Sequence, residues 1–149
     1  MEVYRILKEG FANNLTASGK ANRWNKRGQL VIYAGSSRSL STLELIVHRS
    51  NILPAIPYKV AVISFNENQL IKQVEVNKLP TNWRTFSAYP ALQELGSRWY
   101  TGQESLVLKI PSAVIPQEYN YMINTEHPDF SHNIQLLRIE DYFWDERLM

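Results

Sequence analysis

Short apolar segments recur along the whole chain, and each lies between residues that favour turns. The segments are rich in β-branched and aromatic side chains, which pack well on a pleated sheet. Strands are therefore predicted over residues 3–7, 30–34, 58–65, 73–76, 106–110, 119–123 and 134–139. This pattern is typical of a protein built mainly on β-strands.

One segment has the spacing of a helix instead. Over residues 39–49, the apolar residues Leu40, Leu43 and Val47 recur every three or four positions. This spacing places them on one side of a helix, and we expect the stripe to face the core.

A second helix is predicted over residues 90–100, because Pro90 suits the first turn of a helix. Since helices occur irregularly among the strands, the pattern favours an α+β fold over a parallel sheet with crossover helices. No internal repeat, linker or low-complexity run divides the 149 residues. We therefore expect a single domain over residues 1–149.

Composition excludes several kinds of chemistry. The chain is 44% hydrophobic, which is enough for one globular domain with a core. It has no cysteine, so disulfides, thiolate nucleophiles and cysteine-bound zinc are ruled out. Its three histidines lack HExxH spacing, and we expect no metal. The first ten residues lack the apolar segment of a signal peptide, and no window of 18 apolar residues occurs. We therefore expect a cytoplasmic protein with no membrane partner.

The net charge of +2 is unevenly distributed. Residues 1–50 contain eight Lys or Arg and three Asp or Glu, whereas residues 127–149 contain two and five. The cations form no continuous basic stripe, so we expect no direct nucleic-acid binding. The same cations are able to converge on a small phosphorylated molecule. No GxGxxG, P-loop or GxSxG motif is present. A nucleotide would therefore be held without the common phosphate-binding motifs.

The densest polar and aromatic stretch precedes the second predicted strand, and Arg23 is its main candidate. An arginine beside Trp24 can present a planar fork to a phosphate or carboxylate, with the indole as a stacking wall. In the alternative interpretation, Arg23 is exposed and its aliphatic stem only covers a core tryptophan.

Glu44 is the candidate carboxylate. A helical projection places it beside the apolar stripe, where its side chain can face a cleft. There it can act as a base or stabilise a developing positive charge. The alternative is a capping box with Ser41 at the helix start. Tyr33, near the end of an apolar strand, can stack on a planar heterocycle or simply belong to the core or edge.

Two short polar residues lie at neighbouring strand ends in the second half of the chain. Ser112 closes one predicted strand and Asn120 opens the next. Such residues often bond to their own backbone as turn formers. A functional role requires the fold to bring them to Arg23.

These candidates belong to an ordered series of motifs. The motifs are Arg23-Trp24-Asn25, Tyr33, Leu43-Glu44, Pro111-Ser112-Ala113-Val114 and Asn120-Tyr121. The series closely resembles the RES domain family, over almost the whole chain. The family usually has glycine at the position of Asn22 and often glutamate at that of Lys20. Asparagine tolerates left-handed backbone better than most residues, so we expect the first change to leave the loop intact.

The resemblance implies the toxin of a type II toxin–antitoxin pair, with a fold similar to that of ADP-ribosyltransferases. Such toxins consume NAD as a substrate, by hydrolysis, phosphorolysis or ADP-ribosyl transfer, and the resemblance implies no cofactor. It also implies a cognate Xre-like antitoxin as partner, and it leaves a homo-oligomer open.

The resemblance further implies a role for each candidate residue. Glu44 would stabilise the positive charge that develops on ribose as the bond to nicotinamide breaks. Arg23 and Arg5 would bind the pyrophosphate, and Tyr33 would stack on nicotinamide. Hydrogen bonds to the ribose or the carboxamide, and the remaining contacts to NAD, would come from Ser112, Asn120 and Trp24.

Two other classes of function stay open from the residues alone. A nuclease or other nucleotide-directed enzyme would use the cationic first third on RNA, with Glu44 and His48 four residues apart on one helix. A non-catalytic binding module would use the aromatic and basic residues as a partner surface.

Overall fold

A mixed β-sheet of seven strands forms the framework of the chain. The computed structural model describes residues 1–49, 55–69 and 71–148. Within these ranges, the strands are β1 (Glu2–Lys8), β2 (Val31–Gly35), β3 (Tyr58–Phe65), β4 (Ile71–Gln73), β5 (Val107–Pro111), β6 (Tyr119–Asn124) and β7 (Ile134–Asp141). The helices in the same ranges are α1 (Arg38–Val47), α2 (Tyr89–Gly102) and α3 (Phe130–Asn133). Among these residues, no helix has the length and apolar character needed to cross a membrane.

The strand order is β4-β5-β6-β2-β1-β3-β7, and neighbouring strands are antiparallel except for β4 and β5. Parallel neighbours require a crossover connection, which α2 supplies between β4 and β5. Mainly antiparallel pairing with helices at irregular places confirms the predicted α+β class.

The predicted elements agree with the observed ones to within two residues, except for one strand. The sequence predicts a strand over residues 73–76, but β4 ends at Gln73 and a turn of 3₁₀ helix begins at Val76. The N–H of Val74 still donates to the carbonyl oxygen of Lys109 at 2.9 Å. Beyond Val74 the chain leaves the edge of the sheet, and the predicted strand is therefore wrong. The apolar alternation continues there, but the partner strand does not pair with it.

Strands β2, β5 and β6 contribute side chains to two hydrophobic clusters. Ile32 and Ile123 belong to one cluster, whereas their neighbours Val31 and Met122 belong to the other. Since successive side chains point to opposite faces of a sheet, these strands are covered on both faces, which explains their near-continuous apolar sequence. The second cluster joins the sheet to α2 and to the loop before β2, through Trp24, Trp83, Leu92 and Trp99.

Helix α1 packs by a different face from the predicted stripe. Leu40 is fully buried, but Leu43 is 37% exposed and Val47 is 58% exposed. The prediction that all three face the core is therefore wrong.

A polar contact sets the orientation of α1. The hydroxyl of Ser41 is buried, and its one proton lies between the carbonyl oxygens of Tyr4 on β1 (2.9 Å) and Ser37 (2.8 Å). A Cβ atom at Gly35 would lie 2.3 Å from this hydroxyl, so the glycine allows α1 to lie directly against the sheet. The helix is turned toward Ser41 as a result, and part of the stripe faces solvent.

Helix α2 lies directly against residues 20–28, which we call the arginine loop. A Cβ atom at Gly96 would lie 1.7 Å from the carbonyl oxygen of Trp24. Beside this contact, Gln93 Nε2 donates to the carbonyl oxygen of Asn22 at 2.8 Å. The arginine loop is thus braced by α2.

We expect Gly96→Ala to lower the free energy of unfolding by about 2 kcal/mol, because the added methyl group overpacks the contact with the arginine loop. This cost exceeds the gain of up to about 1 kcal/mol in helix propensity. Gly102→Ala is the matched control on the same helix, since its Cβ would meet only the Glu104 side chain at 3.4 Å. Urea unfolding measures both, and a Gly96→Ala protein as stable as the wild type would contradict the close contact.

Candidate active site

A cavity of about 250 Å³ opens beside the arginine loop, α1 and the central strands. Of the seven residues predicted for the site, six line it: Arg5, Arg23, Trp24, Tyr33, Glu44 and Asn120. The seventh, Ser112, is fully buried and is hydrogen-bonded to Glu44. The fold therefore brings together candidates that lie far apart in the sequence.

One carboxylate oxygen of Glu44 is held by two hydrogen bonds. Ser112 Oγ and Asn120 Nδ2 both donate to Glu44 Oε1, each at 2.7 Å. These donors lie after β5 and on β6, whereas Glu44 lies on α1. Neither donor engages Oε2, which leaves that oxygen for a ligand.

The hydroxyl of Ser112 has one orientation that satisfies all its contacts. Its Oγ accepts hydrogen bonds from the N–H groups of Val114 (3.1 Å) and Ile115 (3.0 Å). Because these bonds occupy both lone pairs, the proton points to Glu44. Ser112 is thus a turn former, as its position at a strand end suggests, and also a donor to the carboxylate.

The capping-box interpretation of Glu44 is wrong. The N-cap of α1 is Ser37, whose hydroxyl accepts a hydrogen bond from the N–H of Leu40 at 3.1 Å. Ser41 and Glu44 therefore lie inside the helix, and Glu44 is beyond the first turn, where unpaired N–H groups occur. Its side chain is free of any capping role.

The arginine loop is organised by Asn25, which is not among the residues predicted for the site. Asn25 is only 1% exposed. Its Nδ2 donates to the carbonyl oxygens of Lys20 (2.9 Å) and Lys26 (3.0 Å), and its Oδ1 accepts a hydrogen bond from the Tyr33 hydroxyl at 2.6 Å. One buried amide therefore ties the loop to β2. The only sequence signal was its place beside Arg23 and Trp24 in the first motif.

Asn22 fits the arginine loop without left-handed backbone. In the described residues, positive φ angles are confined to Gly19, Gly28 and Gln103. The side chain of Asn22 acts as an acceptor, because its Oδ1 receives the N–H of Arg23 at 2.8 Å. Asparagine at this position therefore does not break the loop, and its side chain bonds at the start of the turn.

Two arginines in the cavity have no acidic partner among the described residues. Arg23 donates to the carbonyl oxygen of Trp83 at 3.1 Å and lies 4.8 Å from the centre of the Tyr89 ring. Arg5 donates to the carbonyl oxygen of Thr16 at 2.9 Å, and burial lowers the pKa of its guanidinium. Within the described ranges, neither arginine forms an ion pair, so both positive charges remain for an anionic ligand.

The guanidinium of Arg23 has contacts of its own, beyond any cover that its stem gives to a core tryptophan. Trp24 is 3% exposed and packs against Trp83, with ring centres 6.3 Å apart. The guanidinium of Arg23 contacts Tyr89 and the cavity. Trp24 belongs to the core and also lines the cavity.

Tyr33 joins the cavity to the interior of the arginine loop. Burial raises the pKa of its phenol, and the nearby Tyr89 adds to this effect. The hydroxyl therefore stays protonated at neutral pH and donates to Asn25. Tyr33 offers a neutral ring to the cavity, not a general base.

His48 also lines the cavity, one helical turn after Glu44. Its Nδ1 lies 2.7 Å from the carbonyl oxygen of Glu44. Because a carbonyl oxygen only accepts, Nδ1 carries the proton in this contact.

Comparison with known proteins gives a family for this arrangement. A family model described as the RES domain matches residues 2–145. The chain is 29% identical to Toxin Res of Yersinia enterocolitica, over 99% of both chains. It is 32% identical to a Prs ADP-ribosylating toxin of a Sphingobium species, over 93% of this chain and 88% of the relative. Toxin Res of Photorhabdus laumondii is 28% identical, over 100% and 97%. The resemblance seen in the motifs is thereby confirmed, and the chain belongs to the RES domain family.

Proposed function

We propose that this single-domain chain is an NAD-cleaving enzyme that acts in the cytoplasm as the toxin of a toxin–antitoxin pair. Two of its relatives are named Toxin Res, and a third is named as an ADP-ribosylating toxin. Transfer of ADP-ribose from NAD requires the bond between nicotinamide and ribose to break. The proposed reaction is that cleavage, with water, phosphate or another nucleophile as the acceptor.

The observation that carries the proposal is the anchored carboxylate of Glu44 in a cavity with two arginines. Glycosidic cleavage passes through an oxocarbenium-like state in which the sugar becomes positive. A carboxylate that is already in place stabilises this charge without reorganising. The two donors to Oε1 hold Glu44 in one position and leave Oε2 for the ribose.

The two arginines of the cavity suit the pyrophosphate of NAD. Arg5 and Arg23 are available to the pyrophosphate because no acidic side chain within the described ranges pairs with them. Two guanidinium forks offset the charge of a pyrophosphate without a P-loop.

The remaining site residues divide between contact and support. Tyr33 presents its neutral ring to nicotinamide, and Trp24 of the arginine loop forms part of the cavity wall. Asn120 lines the cavity and also donates to Glu44. Ser112 is fully buried, so its part in the proposed reaction is to position Glu44 rather than to touch the ribose.

Product analysis tests the reaction directly. The purified protein is incubated with NAD, with and without phosphate, and the products are identified by mass spectrometry. ADP-ribose, its 1″-phosphate or a modified protein identifies water, phosphate or a side chain as acceptor. The protein is also incubated separately with total RNA. Degraded RNA together with intact NAD would favour a nuclease instead.

We expect Glu44→Gln to lower the rate of nicotinamide release about 100-fold, because the amide lacks the charge that offsets about 3 kcal/mol in the transition state. Glutamine keeps the shape and can still accept at Oε1, so the fold should persist. Glu75→Gln, at an exposed position outside the cavity, is the matched control. Wild-type nicotinamide release by Glu44→Gln would refute the assignment.

We expect Asn120→Asp to make activity depend on pH differently. The new carboxylate would lie about where Nδ2 now lies, 2.7 Å from Glu44 Oε1. Two carboxylates so close do not ionise together, so the pKa of the pair rises. Activity that needs an ionised Glu44 then falls at mildly acidic pH and recovers as the pH rises. Asn120→Ala loses the same donor without adding a charge, and a pH profile like that of Asn120→Asp in this control would contradict the expectation.

We propose that a cognate Xre-like antitoxin contacts the cationic side of the arginine loop. Arg27 is exposed, and Lys26 forms a half-exposed ion pair with Glu94 at 2.7 Å. Reversal of both charges, Lys26→Glu with Arg27→Glu, should weaken antitoxin binding at least tenfold in a calorimetric titration. The matched control reverses Lys72, which is also ion-paired, and the exposed Lys78. Unchanged affinity in the first double variant would overturn this placement.

A further inference from the structure

Phe86 is the most exposed large apolar side chain in the described part of the molecule. It is 83% exposed and begins a turn of 3₁₀ helix (Phe86–Ala88) just before α2. Its ring lies against that of Tyr89, with centres 5.2 Å apart and planes at 42°. A phenylalanine in water with one aromatic neighbour can accept a second planar group.

Two hydrogen bonds hold the segment just before Phe86 in place. The hydroxyl of Thr85 donates to the carbonyl oxygen of Asn82 at 2.8 Å. Arg84 Nε donates to the carbonyl oxygen of Ala113 at 2.7 Å, which ties the turn to the loop that follows Ser112. Phe86 is thus exposed from a fixed position, and a ring held in this way binds a ligand at a low cost in conformational entropy.

Tyr89 connects this turn to the active site. The guanidinium of Arg23 lies 4.8 Å from the centre of the Tyr89 ring, and Arg23 lines the cavity. The order of contacts is therefore cavity, Arg23, Tyr89, Phe86. The two rings are therefore next to Arg23 on the side of the contact with Tyr89.

The size of the cavity indicates that NAD extends beyond it. The cavity of about 250 Å³ is below the roughly 300–1,000 Å³ of sites that enclose drug-sized molecules. It suits the nicotinamide and its ribose, next to Glu44. The adenosine half must lie outside, on the far side of the arginines that hold the pyrophosphate.

We propose that Phe86, backed by Tyr89, is the platform on which the adenine base of NAD stacks. This inference rests on the proposed function, since it takes NAD as the substrate. Aromatic side chains stack on purine bases through the face of the ring and need no hydrogen-bond pattern. Arg23 then lies between the two halves of the site, with the pyrophosphate at its guanidinium and the base beyond Tyr89.

The test compares NAD with nicotinamide mononucleotide, which has the same scissile bond but lacks the adenylate half. We measure kcat/KM for nicotinamide release from both substrates. In Phe86→Ala, the ratio of the NAD value to the mononucleotide value should fall about tenfold, mainly through KM for NAD. Phe86→Trp should retain the ratio, because the larger ring still stacks. Phe143→Ala removes a phenylalanine that is equally exposed, at 81%, and should leave the ratio unchanged.

An unchanged ratio in Phe86→Ala would overturn the proposal, and weaker antitoxin binding in that variant would then identify Phe86 as a partner contact. If the wild type cleaves neither substrate, the proposed function is wrong. Calorimetric titration with ADP-ribose then decides the platform separately. About tenfold weaker binding in Phe86→Ala sustains the platform, and equal binding overturns it.

Discussion

The two hydrogen bonds to Glu44 Oε1 connect the parts of the molecule that form the candidate site. Glu44 belongs to α1, whereas its donors lie at adjacent ends of two neighbouring strands, Ser112 just after β5 and Asn120 near the start of β6. The bonds hold the carboxylate in place and also fix α1 relative to β5 and β6. Since the hydroxyl of Ser112 is itself oriented by two backbone N–H groups, the direction of the proton toward Glu44 follows from the local turn.

The arginine loop also lines the cavity, and a second buried group holds it. Asn25 bonds to two carbonyl oxygens of the loop and to Tyr33. Helix α2 closes over the loop at Gly96, where a side chain has no space. This rigid support holds Arg23 at the cavity, where no acidic side chain of the described residues pairs with it. A partly buried cation without such a partner is costly in a free protein, and it is useful to a protein that binds a pyrophosphate.

Local patterns predicted most of the elements, and tertiary contacts account for the exceptions. The apolar alternation at residues 73–76 is genuine, but a strand also needs a partner, and the chain leaves the sheet after Val74. The apolar stripe of α1 is visible in the sequence, yet the hydroxyl of Ser41 and the absent side chain of Gly35 orient the helix differently. Spacing alone permits Glu44 to cap a helix, but the helix begins at Ser37.

The sequence by itself determined the α+β class, the approximate elements, the family motifs and the side chains with the required chemistry. These follow from periodicity and residue type, which are local. Only the tertiary structure decided which of those side chains meet, that Ser112 lies behind Glu44, and that Asn25 organises the loop. It also placed Phe86 in solvent along the line from the cavity through Arg23 and Tyr89. The physical reason is that hydrogen bonds and ring contacts between residues tens of positions apart depend on sheet register and helix orientation, which no short segment encodes.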